Sequence, residues 1–334
     1  MAVQITIVGL GQIGASMGLA LAAHKDQVTT VGHDKSAETA QRAKKLGAVD
    51  KVEFNLPHAV AKADVVVLAL PTDQIYETIR IVAQDLREDA VLMETSPAKA
   101  LVSAWAGELL PPKRHYVGLT PALSPLYVEA AGTGVEAAHA DLFDHGMMGI
   151  SAPPGTSGDA LQLAASLATL LGAVPYFADQ VEIDGVMASA HLLPELAGAA
   201  LANFLIGQPG WSDIRKMAGR PFTAATACLT AGELAGLGAA AANDRQNLVR
   251  LLDGLGASLK ELREAIAAGD DQGLLARLGQ AGEGRAAWWT ERARGDWNAV
   301  ERGKVELPRA RDILKQQIGG LDKLFRRGDR RDEE

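Results

Sequence analysis

The sequence predicts an α/β fold in which an N-terminal sheet wound with helices is followed by a purely helical region. Three observations carry that expectation. A glycine-rich turn, Gly9-Leu10-Gly11-Gln12-Ile13-Gly14, separates a β-branched run from a helical stretch. Short β-branched runs then alternate with helical segments, the pattern of a parallel sheet assembled from βαβ units. Beyond about Ala178 the strand signals stop, and Ala- and Leu-rich helical spacing takes over.

Taken in order, strands are expected at Val3–Val8, Val28–Gly32, Val65–Leu70, Val91–Glu94, Tyr116–Leu119, Met147–Ser151 and Val174–Phe177. The run Asp64 to Leu70 (DVVVLAL) is almost wholly apolar, which suits a central parallel strand covered on both faces. Helices are expected from Ile13 to about Ala23 and over Ser36–Leu46, with Gly47 closing the second as a C-cap. Residues 160–178 carry no charge and approach the ~20 residues needed to span a bilayer. Gln162, Ser166 and Thr169 interrupt that stretch, and Gly172 and Pro175 break it, so it reads as a buried helix followed by a strand. The second half is helical from Val181 to roughly Ala268, with breaks at Gly207–Gly210, Gly219–Pro221 and Gly236–Gly238, and helical again from Gln272. The expected organisation is an N-terminal Rossmann dinucleotide-binding domain (1–178), an all-helical dimerisation and substrate domain (179–325) and a charged tail (326–334).

Composition narrows the function classes. The chain has 334 residues, 48% of them hydrophobic, yet only 5 Trp, 4 Tyr and 6 Phe, so its cores are aliphatic rather than aromatic. The net charge of −8 and the lack of a basic stripe argue against a nucleic-acid partner. Cys228 is the single cysteine, which excludes an internal disulfide and a multi-cysteine zinc site and points to a reducing cytoplasm. The first residues, MAVQITIVGLG, lack a charged region ahead of the apolar run and read as a strand rather than a signal peptide. His115, His139 and His145 show no metal-ligand spacing with any acidic cluster, so no metal is expected. Trp288, Trp289 and Trp297 read as helix-packing or dimer-seam residues.

The glycine-rich turn carries the chemistry of the first domain. Gly9 permits the tight turn, Gly11 lets backbone approach a pyrophosphate, and Gly14 lets the helix pack on the strand. The helix N-terminus, through Gln12 and Ile13, then presents N–H groups and a partial positive charge to phosphates. Asp34 ends the second strand, 20 residues after Gly14, where a carboxylate meets the adenosine ribose. A carboxylate there accepts from the 2′-hydroxyl and repels a 2′-phosphate, so NAD is expected over NADP, although Lys35 stands beside it. Pro71 and Thr72, at the end of the fourth run, lie at the sheet edge where ligands bind in open α/β folds.

Beyond these motifs, GLGQIGASMGLAL, VGHDKS and DVVVLALP resemble the prephenate/arogenate dehydrogenases of tyrosine biosynthesis. The resemblance continues through GTGVEAAHADLF (Gly132–Phe143), IDGVMASAHLLPELAGAAL (Ile183–Leu201) and GWSDIRKMAG (Gly210–Gly219), in order over roughly residues 1–220. It implies a homodimeric enzyme that moves a hydride from a carboxylated ring substrate to a nicotinamide while CO₂ is lost. It also marks departures. The family's catalytic His, in a Gly-x-His-Pro motif, falls on Thr120 of Gly118-Leu119-Thr120-Pro121, and a threonine hydroxyl is no base near neutral pH. The family's Ser of an Asp-x-x-Ser-x-Lys stretch falls on Pro97, with Ser96 adjacent and Lys99 retained. The family's SHLPH reads His191-Leu192-Leu193-Pro194-Glu195 here, and its substrate-binding Arg falls on Lys216, beside Arg215.

Two readings follow from the resemblance. In one, the pocket is rebuilt: His191 or Glu195 handles the proton, Ser96 and Thr120 contact the reacting groups, and Arg215 or Lys216 holds a carboxylate. In the other, the chain acts on a different carboxylated substrate, or binds a dinucleotide without catalysis.

Overall fold

The computed structural model describes residues 2–130, 132–230 and 234–295. Strands β1 (Val3–Val8), β2 (Val28–His33), β3 (Lys51–Val52), β4 (Val65–Leu68), β5 (Val91–Glu94), β6 (His115–Pro121), β7 (Met147–Ser151) and β8 (Val174–Phe177) form one sheet. Its order is β3-β2-β1-β4-β5-β6-β7-β8. The order reverses between β1 and β4, so the crevice at the carboxyl ends of those strands is the topological switch point where ligands bind.

Around the sheet lie α1 (Gln12–Leu21), α2 (Ala37–Lys45), α3 (Leu56–Val60), α4 (Thr72–Val82), α5 (Lys99–Leu109) and α6 (Gly158–Leu170). One face of the sheet packs on α1, α2 and α6 through residues such as Ile7, Met17, Val67, Ala164 and Leu167. The other packs on α4 and α5 through Val66, Leu68, Ile75, Ile79 and Val102. Strand β4 is buried along its whole length, as its unbroken apolar run requires. Ser36 caps α2 through Thr39 N, and Gly47, at φ +82°, takes the left-handed conformation that ends the helix.

Three features depart from expectation. The sheet is not wholly parallel, because β6 and β7 run antiparallel. Their connection carries two 3₁₀ turns but no crossover helix, so the chain reverses instead of winding round. The two-residue β3 went unforeseen, being too short to show alternation. The expected break at Gly236–Gly238 is absent, since a single helix, Leu234–Asn243, runs through it.

After β8 the described chain is helical: α7 (Gln180–Met187), a π-helical turn (Ala188–Leu192), α8 (Leu193–Ile206), α9 (Trp211–Met217), α10 (Arg220–Thr226), a 3₁₀ turn, α11 (Leu234–Asn243), α12 (Arg245–Ala268) and α13 (Asp271–Arg294). A small cluster of Ala98, Ala188, Leu192, Ala240 and Leu248 joins this region to α5. The expected buried helix over residues 160–170 is α6, with Ala160, Ala164, Ala165, Leu167 and Ala168 inside. A different run, Gln180–Ile206, is long and apolar enough to cross a membrane by length and composition, and only 17% of its most apolar stretch is buried within the chain. Trp288 and Trp289 pair at 5.7 Å on α13, whereas Trp297 and the expected tail lie outside the described residues.

Helix α1 sits close to its surroundings at two glycines. A Cβ on Gly18 would stand 2.0 Å from the carbonyl oxygen of Ala48. We expect Gly18→Ala to displace α1 and lower stability by about 1–3 kcal/mol, the cost of overpacking a tight interface, read as an earlier urea midpoint.

Candidate active site

The cleft at the carboxyl edge of the sheet, between the sheet domain and the helices that follow it, encloses about 1050 Å³. Its first wall is the β1–α1 turn. Gly9, at φ +91°, leaves no room for a side chain: a Cβ would meet the Ala69 carbonyl oxygen at 2.3 Å. Gly14 is closed in the same way, with a Cβ 1.9 Å from the Gly9 oxygen. Gly11 is different. Its φ is −71°, and a Cβ there would meet no protein atom within 4 Å, on the cleft side of the turn. Gly9 and Gly14 therefore serve the fold, and Gly11 keeps backbone open to a ligand. Helix α1 begins with no side-chain cap and no acid in its first turn, leaving N–H groups for an anion at Gln12 and Ile13, which line the cleft. These features fit the pyrophosphate of a dinucleotide.

Asp34 lines the adjoining part of the cleft. Its carboxylate accepts from Leu10 N and from Ser36 N, each at 2.8 Å, and so also braces the glycine-rich turn against β2. Lys35 reaches across to Gln74 at 3.3 Å. Pro71 and Thr72 line the cleft at the start of α4, beyond the end of β4 at Leu68.

The second wall holds the other expected residues. Ser96, Thr120, His191 and Glu195 all face this cleft. Thr120 Oγ1 is buried with no protein partner among the described residues, a polar atom placed for a ligand. His191 lies in the π-helical turn, half exposed, with Nε2 3.3 Å from Glu195 Oε1 one turn later. Arg215 and Lys216 are not brought in. Both are exposed on α9 outside the cleft, and Lys216 pairs with Asp213 at 2.8 Å. Among the residues lining the cleft, Lys35 is the sole Lys or Arg. Among the described residues no group of three or more His, Cys, Asp or Glu is placed to hold a metal ion.

One cluster escaped sequence reasoning. Beneath the second wall, Lys99 and Glu94 form a fully buried ion pair at 2.7 Å. Tyr116 OH donates to the same Glu94 oxygen at 2.9 Å. Burial pushes the Lys99 ammonium below its ordinary range while the Glu94 charge opposes the shift, and burial beside Glu94 raises the Tyr116 phenol well above its own. Asp184 of α7 accepts from Lys99 N at 2.6 Å and Ala100 N at 3.0 Å, capping α5 from the helical region. Burial raises the Asp184 carboxyl, and those two amide bonds hold the rise back. The retained Lys99 was the one available signal, because neither strand pattern nor spacing reveals that its side chain turns inward.

Comparison with known proteins finds similarity to dehydrogenases. The model of the prephenate dehydrogenase nucleotide-binding domain matches residues 17–176. A cyclohexadienyl dehydrogenase of Zymomonas mobilis is 28% identical over 292 residues, covering 86% of this chain and 96% of that protein. A prephenate dehydrogenase of Bacillus subtilis is 26% identical over 202 residues, which is 60% of this chain and 53% of that protein's length. Among solved structures, the prephenate dehydrogenase of Aquifex aeolicus in complex with hydroxyphenyl propionate and NAD⁺ superposes with a TM-score of 0.74 at 21% identity, covering 86% of this chain and 98% of that one. The Synechocystis arogenate dehydrogenase gives 0.65, also at 21% identity, over 85% and 99%. At these identities the structures speak for the fold. The family match begins after the glycine-rich turn, whose reading rests on its own geometry.

Gly11→Ala separates fold from ligand. The added methyl meets open space, so the melting temperature should stay within about 2 °C of the parent. NADH affinity, followed by fluorescence titration, should fall about tenfold or more as the methyl blocks the approach to the pyrophosphate.

Proposed function

We propose that the chain is a member of the prephenate/arogenate dehydrogenase family, to which it is similar, and acts as an NAD-dependent dehydrogenase that oxidatively decarboxylates prephenate or arogenate. The observation that carries this reading is the meeting, in one cleft, of the open glycine turn with His191, Glu195, Ser96 and Thr120. An NAD held by the glycine turn and Asp34 would supply the hydride acceptor for the ring carbon that bears the 4-hydroxyl. The chain's own task is to hold the ring against that acceptor, take the hydroxyl proton and return it once CO₂ has left and the ring has become aromatic.

His191 is the proposed proton acceptor in place of the histidine replaced by Thr120. Glu195 favours a proton on Nε2, which it faces at 3.3 Å, and so leaves Nδ1 to accept. Thr120 Oγ1 and Ser96 supply neutral hydrogen bonds to the reacting groups. This division suits their chemistry, since a hydroxyl orients a substrate without competing for its proton. The substrate's carboxylate needs a cation, and within one chain Arg215 and Lys216 do not reach the cleft. They stay in the proposal as substrate-binding residues only within the homodimer.

NAD is proposed over NADP because the Asp34 carboxylate, at the end of β2, would repel a 2′-phosphate. The homodimer is proposed through the helical region, where Val181, Val186, Leu201, Phe204 and Ile206 are exposed along Gln180–Ile206. A stretch so apolar and so little covered is better explained by a second copy than by lipid, because Glu182, Asp184 and Glu195 sit within it. The boundary between the two domains is taken near Ala178, and the lone cysteine suits a cytoplasmic enzyme.

Absorbance at 340 nm with NAD and prephenate, then arogenate, tests the reading directly. Turnover of either is expected, and tight NADH binding with no turnover of either would sink it. His191→Asn should lower kcat about 100-fold or more with the KM for NAD unchanged. A variant whose kcat matches the parent would remove His191 from the mechanism.

A further inference from the structure

We propose that Lys99 is a positioning residue that ties three walls of the cleft together through its buried pair with Glu94. The inference rests on the reading of the cleft as the site of hydride transfer. Each tie is a short hydrogen bond. Lys99 Nζ donates to the Leu119 carbonyl oxygen at 2.6 Å, one residue before Thr120. Its partner Glu94 accepts from Ser96 N at 2.6 Å through the second carboxylate oxygen. Lys99 N is held at 2.6 Å by Asp184, which stands on α7 in the helical run that continues into the π-turn and His191. The ends of β5 and β6 and the base of α7 thus share a single side chain and its own amide.

The sheet is shaped to admit that side chain. Glu94 pairs in register with Gly118, and Gly118 with Ser151, so the three lie in one row across β5, β6 and β7. Gly118 supplies a gap in that row. A Cβ there would stand 2.6 Å from Lys99 Cδ, 2.9 Å from Ser151 Oγ and 3.1 Å from Tyr116 OH. The glycine of the Gly118-Leu119-Thr120-Pro121 motif is therefore not needed for a turn, since it lies inside strand β6. It makes room for the lysine stem under the strand that presents Thr120.

Stability alone does not account for the pair. Replacing a buried ion pair by apolar groups of similar volume is often neutral or stabilising, whereas removing one partner leaves a costly lone charge. What an apolar pair cannot reproduce is the set of directed bonds to the Leu119 oxygen and the Ser96 amide. Fixing two strand ends to within a fraction of an ångström matters where a proton and a hydride must both be aligned.

The double variant Glu94→Gln/Lys99→Met tests this. Both charges go and the introduced glutamine oxygen can still accept from Ser96 N, while the lysine's bonds to the Leu119 oxygen and to Glu94 are lost. Expected are a melting temperature within a few degrees of the parent, unchanged NADH affinity, a kcat lower by about 100-fold, and faster amide hydrogen exchange over residues 118–123. Parent-like kcat and exchange in the folded double variant would overturn the proposal. Should the double variant fail to fold, Tyr116→Phe removes one bond to Glu94 and keeps the charges. It should then lower kcat by about three- to tenfold at constant KM for NAD, and an unchanged kcat would count against the tie. If the parent protein turns over neither prephenate nor arogenate, the reading of the cleft fails, and exchange over 118–123 still decides whether Lys99 holds the strand end.

Discussion

The close approach of backbone at the β1–α1 turn sets the position of everything in the cleft. Gly9 lies against the carbonyl of Ala69 at the end of β4, and Gly14 lies against Gly9 itself. No side chain fits at either contact, so close packing fixes the start of α1, together with the backbone bonds from Gly9 N to the His33 oxygen at 2.9 Å and from Ala69 N to the Val8 oxygen at 2.8 Å. Asp34 adds a polar brace from β2 through the Leu10 amide. Three strands therefore converge on one helix N-terminus, whose uncapped N–H groups are held in place by the fold itself.

The helical region is held to this platform by two kinds of contact. Asp184 caps α5, whose own N-cap, Ala98, has no side chain able to do so. Gly236 of α11 lies against the start of α4, where a Cβ would come within 3.0 Å of Pro71 Cβ and 3.3 Å of Thr72 N. The first contact is polar and directional, and the second is steric. Together they set the separation of the cleft walls from opposite sides.

The parts of this protein legible in its sequence are those governed by local rules. Short β-branched and apolar runs exposed seven of the eight strands, and β3 was missed because two residues carry no pattern. The glycine turn was legible because each glycine answers a separate local demand. The antiparallel β7 was not, since strand direction depends on how the long connection before it folds. Glu94 and Lys99 were seen as a strand end and a retained motif residue, but their burial depends on Gly118, which faces Glu94 from the neighbouring strand and is 24 residues further along the chain. Arg215 and Lys216 show the opposite failure. Alignment by motif brought them to a substrate role, while the fold of a single chain leaves them in solvent. Position in a motif does not fix the direction in which a helix faces.

The shape of the segment that carries His191 is tied to Pro194. Proline lacks the amide that would bond to the carbonyl of Ala190, and its ring crowds that carbonyl. The helix responds by widening, and the π-helical turn Ala188–Leu192 lies directly ahead of Pro194, which occupies the first positions of α8. A π turn inserts extra backbone and rotates the residues it carries relative to an unbroken α-helix, which is one reason such turns gather at functional sites. Here the widened turn carries His191, and Glu195 follows just after the proline, so the two side chains meet at 3.3 Å on the cleft side. An α-helix drawn straight through this segment would still bring residues four apart together, but facing a different direction. The proline thus shapes the turn, and the turn, rather than any one position within it, sets which way His191 and Glu195 face.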